Sequence, residues 1–308
     1  MKKVFIDGSA GTTGLRIYER LEGRTDIELI KLPDELRKDP SAREEALNSA
    51  DIAFLCLPDD AAREAVAMLK NPDTVVLDTS TAHRTAEGWC YGFPELNRWE
   101  EVKNAKRIAV PGCHAGGFIA LVYPLIAEGI IDKSALLCCH SLTGYSGGGK
   151  KMIGDYESPE KDYLLNAPRQ YALSANHKHL KEMVYISGID NAPSFCPIVG
   201  DFYSGMAVTV PVFASMLKNG ATVESIKNAY KKLYTGPVVS YKENADEGGF
   251  YSALGLGGKD SMEISVMGND ERILLLARYD NLGKGASGAA LECMNLCLGL
   301  PAEYGLNI

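Results

Sequence analysis

The sequence predicts an α/β protein, a doubly wound parallel sheet joined to a second, α+β domain. Three observations carry this. Short β-rich runs alternate with helical patterns over roughly the first hundred residues, which is how a parallel sheet with helices on both faces reads. A glycine-rich turn, Gly8-Ser9-Ala10-Gly11-Thr12-Thr13-Gly14, links the first run to the first helical pattern. Beyond Gly112 the β-like runs lengthen and crowd together, which predicts a mixed or antiparallel sheet.

Taken in order, strands are expected at 3–6, 28–31, 52–57, 74–77 and 107–110, with helices at 13–21, 42–48 and 61–69 between them. In the second part, strands are expected at 135–143, 206–213, 261–267 and 272–279, and helices at 115–127, 179–186 and 222–233. The glycine-rich, charged stretch 144–160 reads as a loop at a site, and a last helix covers 286–298. The change of texture sets a domain boundary between 112 and 113.

Composition narrows the function. A chain of 308 residues with 46% hydrophobic and 23% charged residues can bury a sizeable core. The net charge of −8 argues against nucleic acid or an anionic membrane as partner. A small anion remains possible in a local basic pocket. Apolar runs such as 273–277 fall well short of the roughly 20 residues of a membrane helix. The N-terminus reads as a strand rather than an export signal, so a cytoplasmic location is expected. The eight cysteines are then reduced thiols, and without a C-x-x-C pair no metal site is expected. Seven of them read as core filler; Cys113 is different.

The glycine turn has the spacing G-x-x-G-x-x-G, a variant of the dinucleotide fingerprint of Rossmann-type domains. Glycines let the backbone turn tightly beside a pyrophosphate, whose charge sits on the helix N-terminus. Ser9, Thr12 and Thr13 add hydroxyl donors. The second strand ends in Leu29-Ile30-Lys31-Leu32, followed by Arg37 and Lys38, where sites for NAD place an acid. A cation there suits a 2′-phosphate, so the expected cofactor is NADP(H); a strand-end lysine kept there for solvation is the alternative.

Val110-Pro111-Gly112-Cys113-His114 ends a strand and opens an apolar helix. A thiol at a helix start faces the positive end of the dipole, which favours the nucleophilic thiolate. A buried cysteine acting as a small hydrophobe is the other reading. Tyr171, His177 and His179 form a second cluster, the two histidines expected on one side of an extended segment just before a helix. Imidazoles serve a thiolate better as general acid or base than as metal ligands, for which no further ligands stand at sensible spacing.

At these residues the sequence resembles the N-acetyl-γ-glutamyl-phosphate reductases, specifically their short form, over nearly the whole chain. The resemblance rests on Gly8–Gly14, on Asp78-Thr79-Ser80-Thr81-Ala82-His83-Arg84, on Tyr91-Gly92-Phe93-Pro94-Glu95 and on Pro111-Gly112-Cys113. It continues through the stretch 141–150, His177-Lys178-His179, and Asn281-Leu282-Gly283-Lys284-Gly285-Ala286-Ser287-Gly288. It implies that the last helix returns to the first domain, so that the domains are 1–112 plus 282–308 and 113–281, the second like the C-terminal domain of aspartate-semialdehyde dehydrogenase and GAPDH, and it implies a homo-oligomer, dimer or tetramer. It implies Cys113 as nucleophile, His177 or His179 as acid/base, and Ser80 and Asn281 among the cofactor contacts. Arg84, Ser141, Ser146, Gly147, Lys150 and Tyr171 would meet the substrate. For Arg84 the guanidinium fork suits a carboxylate or phosphate, and a surface charge is the alternative. Longer relatives usually have an aromatic residue and then Pro after the cysteine, and the His-x-His motif usually continues towards Pro-Glu; here His114-Ala115 and Leu180-Lys181-Glu182 stand instead.

The expected reaction is NADPH-dependent reduction of an acyl phosphate to a semialdehyde with release of inorganic phosphate, as a step of arginine biosynthesis. Cys113 would carry a thioester, with backbone N–H groups near it holding the oxyanion. A sibling reductase resembling aspartate-semialdehyde dehydrogenase is the rival enzyme. A non-catalytic NADP-binding sensor is the rival of another class.

Overall fold

The computed structural model describes all 308 residues, which divide into two compact units, each with one main sheet. The first unit comprises Met1–Pro94, Arg98–Pro111 and Ala286–Leu306. In chain order it holds β1 (Lys2–Asp7), α1 (Thr12–Leu21), β2 (Ile27–Ile30), α2 (Pro40–Ser49), β3 (Ile52–Leu55), α3 (Asp59–Ala67), β4 (Val75–Asp78), β5 (Cys90–Tyr91), α4 (Trp99–Asn104) and β6 (Arg107–Ala109). The strands form one all-parallel sheet in the order β2-β1-β3-β4-β6-β5.

Alternation along the strands explains why both faces are covered. Val4, Ile6, Phe54 and Leu77 join one core with Ile17 and Leu21 of α1, whereas Phe5, Ala53, Leu55 and Val76 join the other with Ala46 and Leu47 of α2. Each fully buried large side chain stabilises its unit by about 1.5–3 kcal/mol. The chain leaves β1 towards β2 on one side and returns to β3 on the other. The carboxyl ends of β1 and β3 are therefore the topological switch point, where open α/β sheets bind ligands.

The second unit comprises Glu95–Asn97, Gly112–Gly285 and the last two residues. It contains α5 (Cys113–Ala127), β7 (Cys138–Gly144), α6 (Gly149–Glu157), β8 (Arg169–Gln170), α7 (Leu180–Ser187), β9 (Ser194–Gly200), β10 (Met206–Phe213), α8 (Val223–Leu233), β11 (Val239–Tyr241), β12 (Met262–Gly268) and β13 (Arg272–Tyr279). Its mixed sheet runs β11-β12-β13-β10-β7-β9-β8. The final helix α9 (Gly288–Cys297) belongs to the first unit, where Ala289, Ala290 and Met294 pack with α1.

Helix α5 is apolar on every side, as a buried helix must be, and packs on α7, α8, β10 and β13. Two tyrosines from the α8 region fix it, the hydroxyls of Tyr230 and Tyr234 each donating at 2.6 Å to the carbonyls of Leu121 and Ala120.

Three expectations are corrected. The stretch 144–160 is not a loop: after a short 3-10 turn at Tyr145–Gly148 it forms α6, whose Met152 and Tyr156 pack with Leu165 and Val199. The glycines before it hid that apolar pair. Strand β9 was missed because Pro197 interrupts its pattern, and β5, β8 and β11 are too short to leave one. Cys138 is not core filler; it is exposed, while Cys139, on the opposite face of β7, is buried.

Candidate active site

The glycine turn is dictated by backbone sterics. Gly8 has φ of +87°, and a Cβ there would lie 2.3 Å from the Cys56 carbonyl oxygen; at Gly14 one would lie 2.4 Å from the Gly8 oxygen. Gly11 differs. A Cβ there would meet nothing nearer than 3.4 Å, so the fold itself does not demand glycine at that position. Gly11 is the N-cap of α1, and no side chain caps the helix start. Uncapped N–H groups beside an open glycine, with part-exposed Ser9, Thr12 and Thr13, are what an incoming pyrophosphate requires.

A groove of about 690 Å³ opens beside this turn, lined by Gly8, Ser9, Lys31, Arg37, Lys38 and Arg43 among others. Its cations are partly matched. Lys31 reaches Glu22 at 3.2 Å and covers the Tyr18 ring, Arg37 meets Asp34 at 2.5 Å, and Arg43 clamps the buried Asp7 at 2.9 Å. Burial pushes the Asp7 carboxyl up from its ordinary value, with Arg43 opposing that shift. No acid ends β2, so the groove fits a dinucleotide whose ribose carries an extra anion.

In the second unit, Cys113 is the first residue of α5 and is partly exposed, whereas Gly112 and His114 beside it are buried. Burial pushes Cys56 and Cys90 up to about 12 and Cys297 up to about 11, which makes them inert thiols.

Four anchors hold Cys113. The Tyr279 hydroxyl accepts from Gly117 N–H at 3.1 Å and donates to the Cys113 carbonyl, bridging the first turn of α5. Burial, then the neighbouring Cys113, raises the Tyr279 phenol well above its ordinary value, so it remains a donor. Glu182 of α7 accepts the Gly112 N–H at 2.7 Å. Gly285 lies against the cysteine, where a Cβ would come within 3.1 Å of Cys113 Cβ. Beside Gly285, the buried Lys284 ammonium donates a hydrogen bond to each carboxylate oxygen of Glu95, at 2.8 Å.

The histidine cluster surrounds the residue after the cysteine. His114 is 3% exposed and places Nδ1 2.6 Å from Ser141 Oγ and Nε2 2.6 Å from Tyr171 OH. The rings of His177 and His179 lie 5.8 and 5.7 Å from the His114 ring and 4.7 Å from each other. They stand in a turn rather than the extended segment the spacing suggested, with His179 as the N-cap of α7; the turn still brings both rings to one side. The His177 Nδ1 accepts the His179 N–H at 3.1 Å, so neutral His177 carries its proton on Nε2. Burial, then Lys178, lowers the His177 pKa and keeps it neutral.

Other expected residues fall in different settings. Ser141 and Ser146 are 0% and 1% exposed, their hydroxyls bound to His114 and to Asn281. Asn281 is buried, its amide accepting Gly205 N–H and donating to Ser146. Gly147 and Lys150 are exposed at the start of α6. Tyr171 is half-buried. Ser80, in the first unit, donates to Asp78 at 2.8 Å and accepts Ala82 N–H. Arg84 is not a surface charge: it is buried and donates to the carbonyls of Val110 and Thr79, tying the loops after β4 and β6 together. His114, Tyr279, Glu182 and the Lys284–Glu95 pair were not singled out as site residues. His114 and Glu182 left a signal as departures from the expected pattern, and Glu95 and Lys284 as members of two motifs that carry the resemblance, whereas Tyr279 left none.

Both units match models of known families. Residues 33–105 match the NAD binding domain of semialdehyde dehydrogenases, and residues 113–281 match their dimerisation domain. Among solved structures, aspartate semialdehyde dehydrogenase II from Vibrio cholerae, complexed with ASA, superposes with a TM-score of 0.69 at 15% identity, covering 97% of this chain and 98% of that one. The Francisella tularensis aspartate semialdehyde dehydrogenase gives 0.70 at 14% identity, with 96% and 99% covered. That likeness concerns the fold alone; the two matched family models set the class, a two-domain protein of semialdehyde dehydrogenase type. The sequence goes further. It is 46% identical to the N-acetyl-gamma-glutamyl-phosphate reductase 2 of Nostoc sp., covering 99% of both chains, and 45% identical to the Sinorhizobium medicae reductase, covering 96% and 98%. The chain belongs to the N-acetyl-gamma-glutamyl-phosphate reductase family.

Proposed function

We propose that this protein reduces N-acetyl-γ-glutamyl phosphate to N-acetylglutamate 5-semialdehyde with NADPH, releasing inorganic phosphate, as a step of arginine biosynthesis. The observation that carries the reading is Cys113: a part-exposed thiol on the first residue of a buried helix, with an imidazole pair gathered around the next residue.

The first unit binds the dinucleotide through Gly8, Ser9, Gly11, Thr12, Thr13 and Gly14, and Lys31, Arg37 and Lys38 favour the 2′-phosphate. When bound, the nicotinamide supplies a hydride. The Cys113 thiolate attacks the acyl carbon, forming a C–S bond as the C–O bond to phosphate breaks. Reduction turns the resulting thioester carbonyl into an oxyanion. A neutral His177, with its proton on Nε2, is suited to donate a hydrogen bond there without giving up that proton. His179 is left as the group that exchanges protons with the thiol or the oxygen. Collapse of the C–S bond releases the aldehyde and restores the thiolate. Covalent capture keeps the carbonyl fixed through both steps.

Exposed Lys150 and the glycines before it suit the leaving phosphate. The family name of the second unit and its seven-stranded sheet support self-association to a dimer or tetramer. Work in the cytoplasm accords with such a pathway step, and no helix is long and apolar enough to cross a membrane.

The test is phosphate-dependent NADP reduction by the full chain with N-acetylglutamate semialdehyde, run beside aspartate semialdehyde. Turnover confined to the acetylglutamyl substrate is expected. A preference for the aspartyl substrate, or none for either, would overturn the reading.

A further inference from the structure

The His114 side chain has no part in the chemistry so far, although it follows the nucleophile directly and is sealed between two hydroxyls. Its ring is packed by His177, His179 and Phe195 and is 3% exposed. Burial, then the neighbouring His177, lowers its pKa to about 3, so the ring is neutral at any working pH. A neutral imidazole has one donor and one acceptor, so the chain Ser141–His114–Tyr171 can run in two directions.

Burial decides between them. Ser141 is 0% exposed, and His114 is the partner of its hydroxyl. If Nδ1 carried the proton, the serine would accept and its own O–H would be left buried and unbonded, at a cost of about 1–3 kcal/mol. If the serine donates to Nδ1, the imidazole proton sits on Nε2 and is donated to the Tyr171 oxygen. The Tyr171 proton is then turned away from His114. Tyr171 is half-buried, its ring is 6.0 Å from that of His177, and it stands close enough to Cys113 for a thiolate there to raise its pKa further after burial has done so. It therefore stays protonated.

We propose that His114 is a positioning residue: relaying the buried Ser141 hydroxyl, it orients Tyr171 as a hydrogen-bond donor to the oxygen of the group carried on Cys113. The inference rests on the thioester reading above. Tyr171 touches the substrate; His114 and Ser141 act through it.

The experiment compares His114→Phe, His114→Gln, Tyr171→Phe, Ser141→Ala and the double variant His114→Phe/Tyr171→Phe in the phosphate-dependent assay. The expected result is a kcat loss of about tenfold or more for His114→Phe and for Tyr171→Phe, with KM for NADP unchanged. The double variant should be no slower than Tyr171→Phe, and Gln, which keeps a donor and an acceptor, should restore part of the rate. Should His114→Phe fail to fold, nitrogen NMR of the wild-type imidazole reads the tautomer directly, with the proton on Nε2 expected and the Nδ1 resonance shifted in Ser141→Ala, where it loses its donor. A proton on Nδ1, unchanged kcat in His114→Phe, or multiplying losses in the double variant would overturn the inference alone. A wild-type chain without turnover would overturn the functional reading and the inference with it.

Discussion

The glycine turn of the first unit and the Cys113 centre of the second are built on opposite principles. The turn is continuous in sequence, seven residues from Gly8 to Gly14, and its shape follows from missing side chains. The Cys113 centre is assembled from distant stretches, with Tyr171, His177, Glu182, Tyr279 and Gly285 converging on three consecutive residues, Gly112, Cys113 and His114, at the start of α5. A site made of backbone tolerates side-chain change and fails when a Cβ is added. One made of side chains fails when a partner is removed. The contrast shows why the first is readable as a motif while most of the second is not.

The largest way to break the comparison is chemical. Cys113→Ser should lower turnover by about 10⁴-fold or more while leaving NADP affinity intact, since the turn and the thiol lie in different units. Equilibrium dialysis beside the rate assay checks this, and a fall in affinity would show that the two sites are not separable. Next comes the buried ion pair. Glu95→Gln leaves the Lys284 ammonium buried without its counter-charge and should cost about 3–5 kcal/mol in urea unfolding. Replacing both by apolar residues of similar size should cost far less.

For the turn, Gly8→Ala places a Cβ on a carbonyl oxygen at positive φ. It should cost about 1–3 kcal/mol and abolish NADP binding, whereas Gly11→Ala should weaken NADP binding with little loss of stability. Fluorescence titration and thermal unfolding separate the two. A stability loss at Gly11 equal to that at Gly8 would contradict the reading of Gly11 as an open approach.

Acid acts on the histidine cluster. The unfolded chain protonates His114 near its ordinary 6.5, but the folded chain resists until about 3, so folded-state stability is full above 6.5 and falls as pH drops through that window. The slope is about 1.4 kcal/mol per pH unit, and His177, also lowered, adds to it in the same sense. Unfolding of His114→Gln measured at stepped pH should show a shallower slope. The smallest effect expected is Tyr279→Phe, which removes the bridge across the first turn of α5. It should cost about 1–2 kcal/mol and lower kcat several-fold without changing NADP affinity.

Legibility followed locality. Strands β10 and β13 span 206–213 and 272–279 as the pattern indicated, because each carries eight residues of largely apolar or alternating texture, long enough in β10 to outweigh Pro211. Helix α5 opens at Cys113 because Pro111-Gly112 ends the preceding run. Helix α6 was lost behind three consecutive glycines, and β9 behind a proline, since local breakers dominate a short window while the apolar partners that override them lie elsewhere in the chain. Ser141 and Ser146 illustrate the same limit: a polar residue in a promising loop reads the same whether its hydroxyl faces substrate or is held by His114 or Asn281.

The sequence alone determined the alternation of layers, the glycine turn, the thiol at a helix start and the presence of two nearby imidazoles. Each is a pattern within about ten residues, the range over which period and turn chemistry act. Tertiary structure decided which groups surround that thiol, that Ser141, His114 and Tyr171 form one hydrogen-bonded chain, and that Lys284 and Glu95, far apart in the chain, share one buried pair. Those outcomes depend on burial and on contacts between residues distant in the chain, and neither quantity is a property of any single segment.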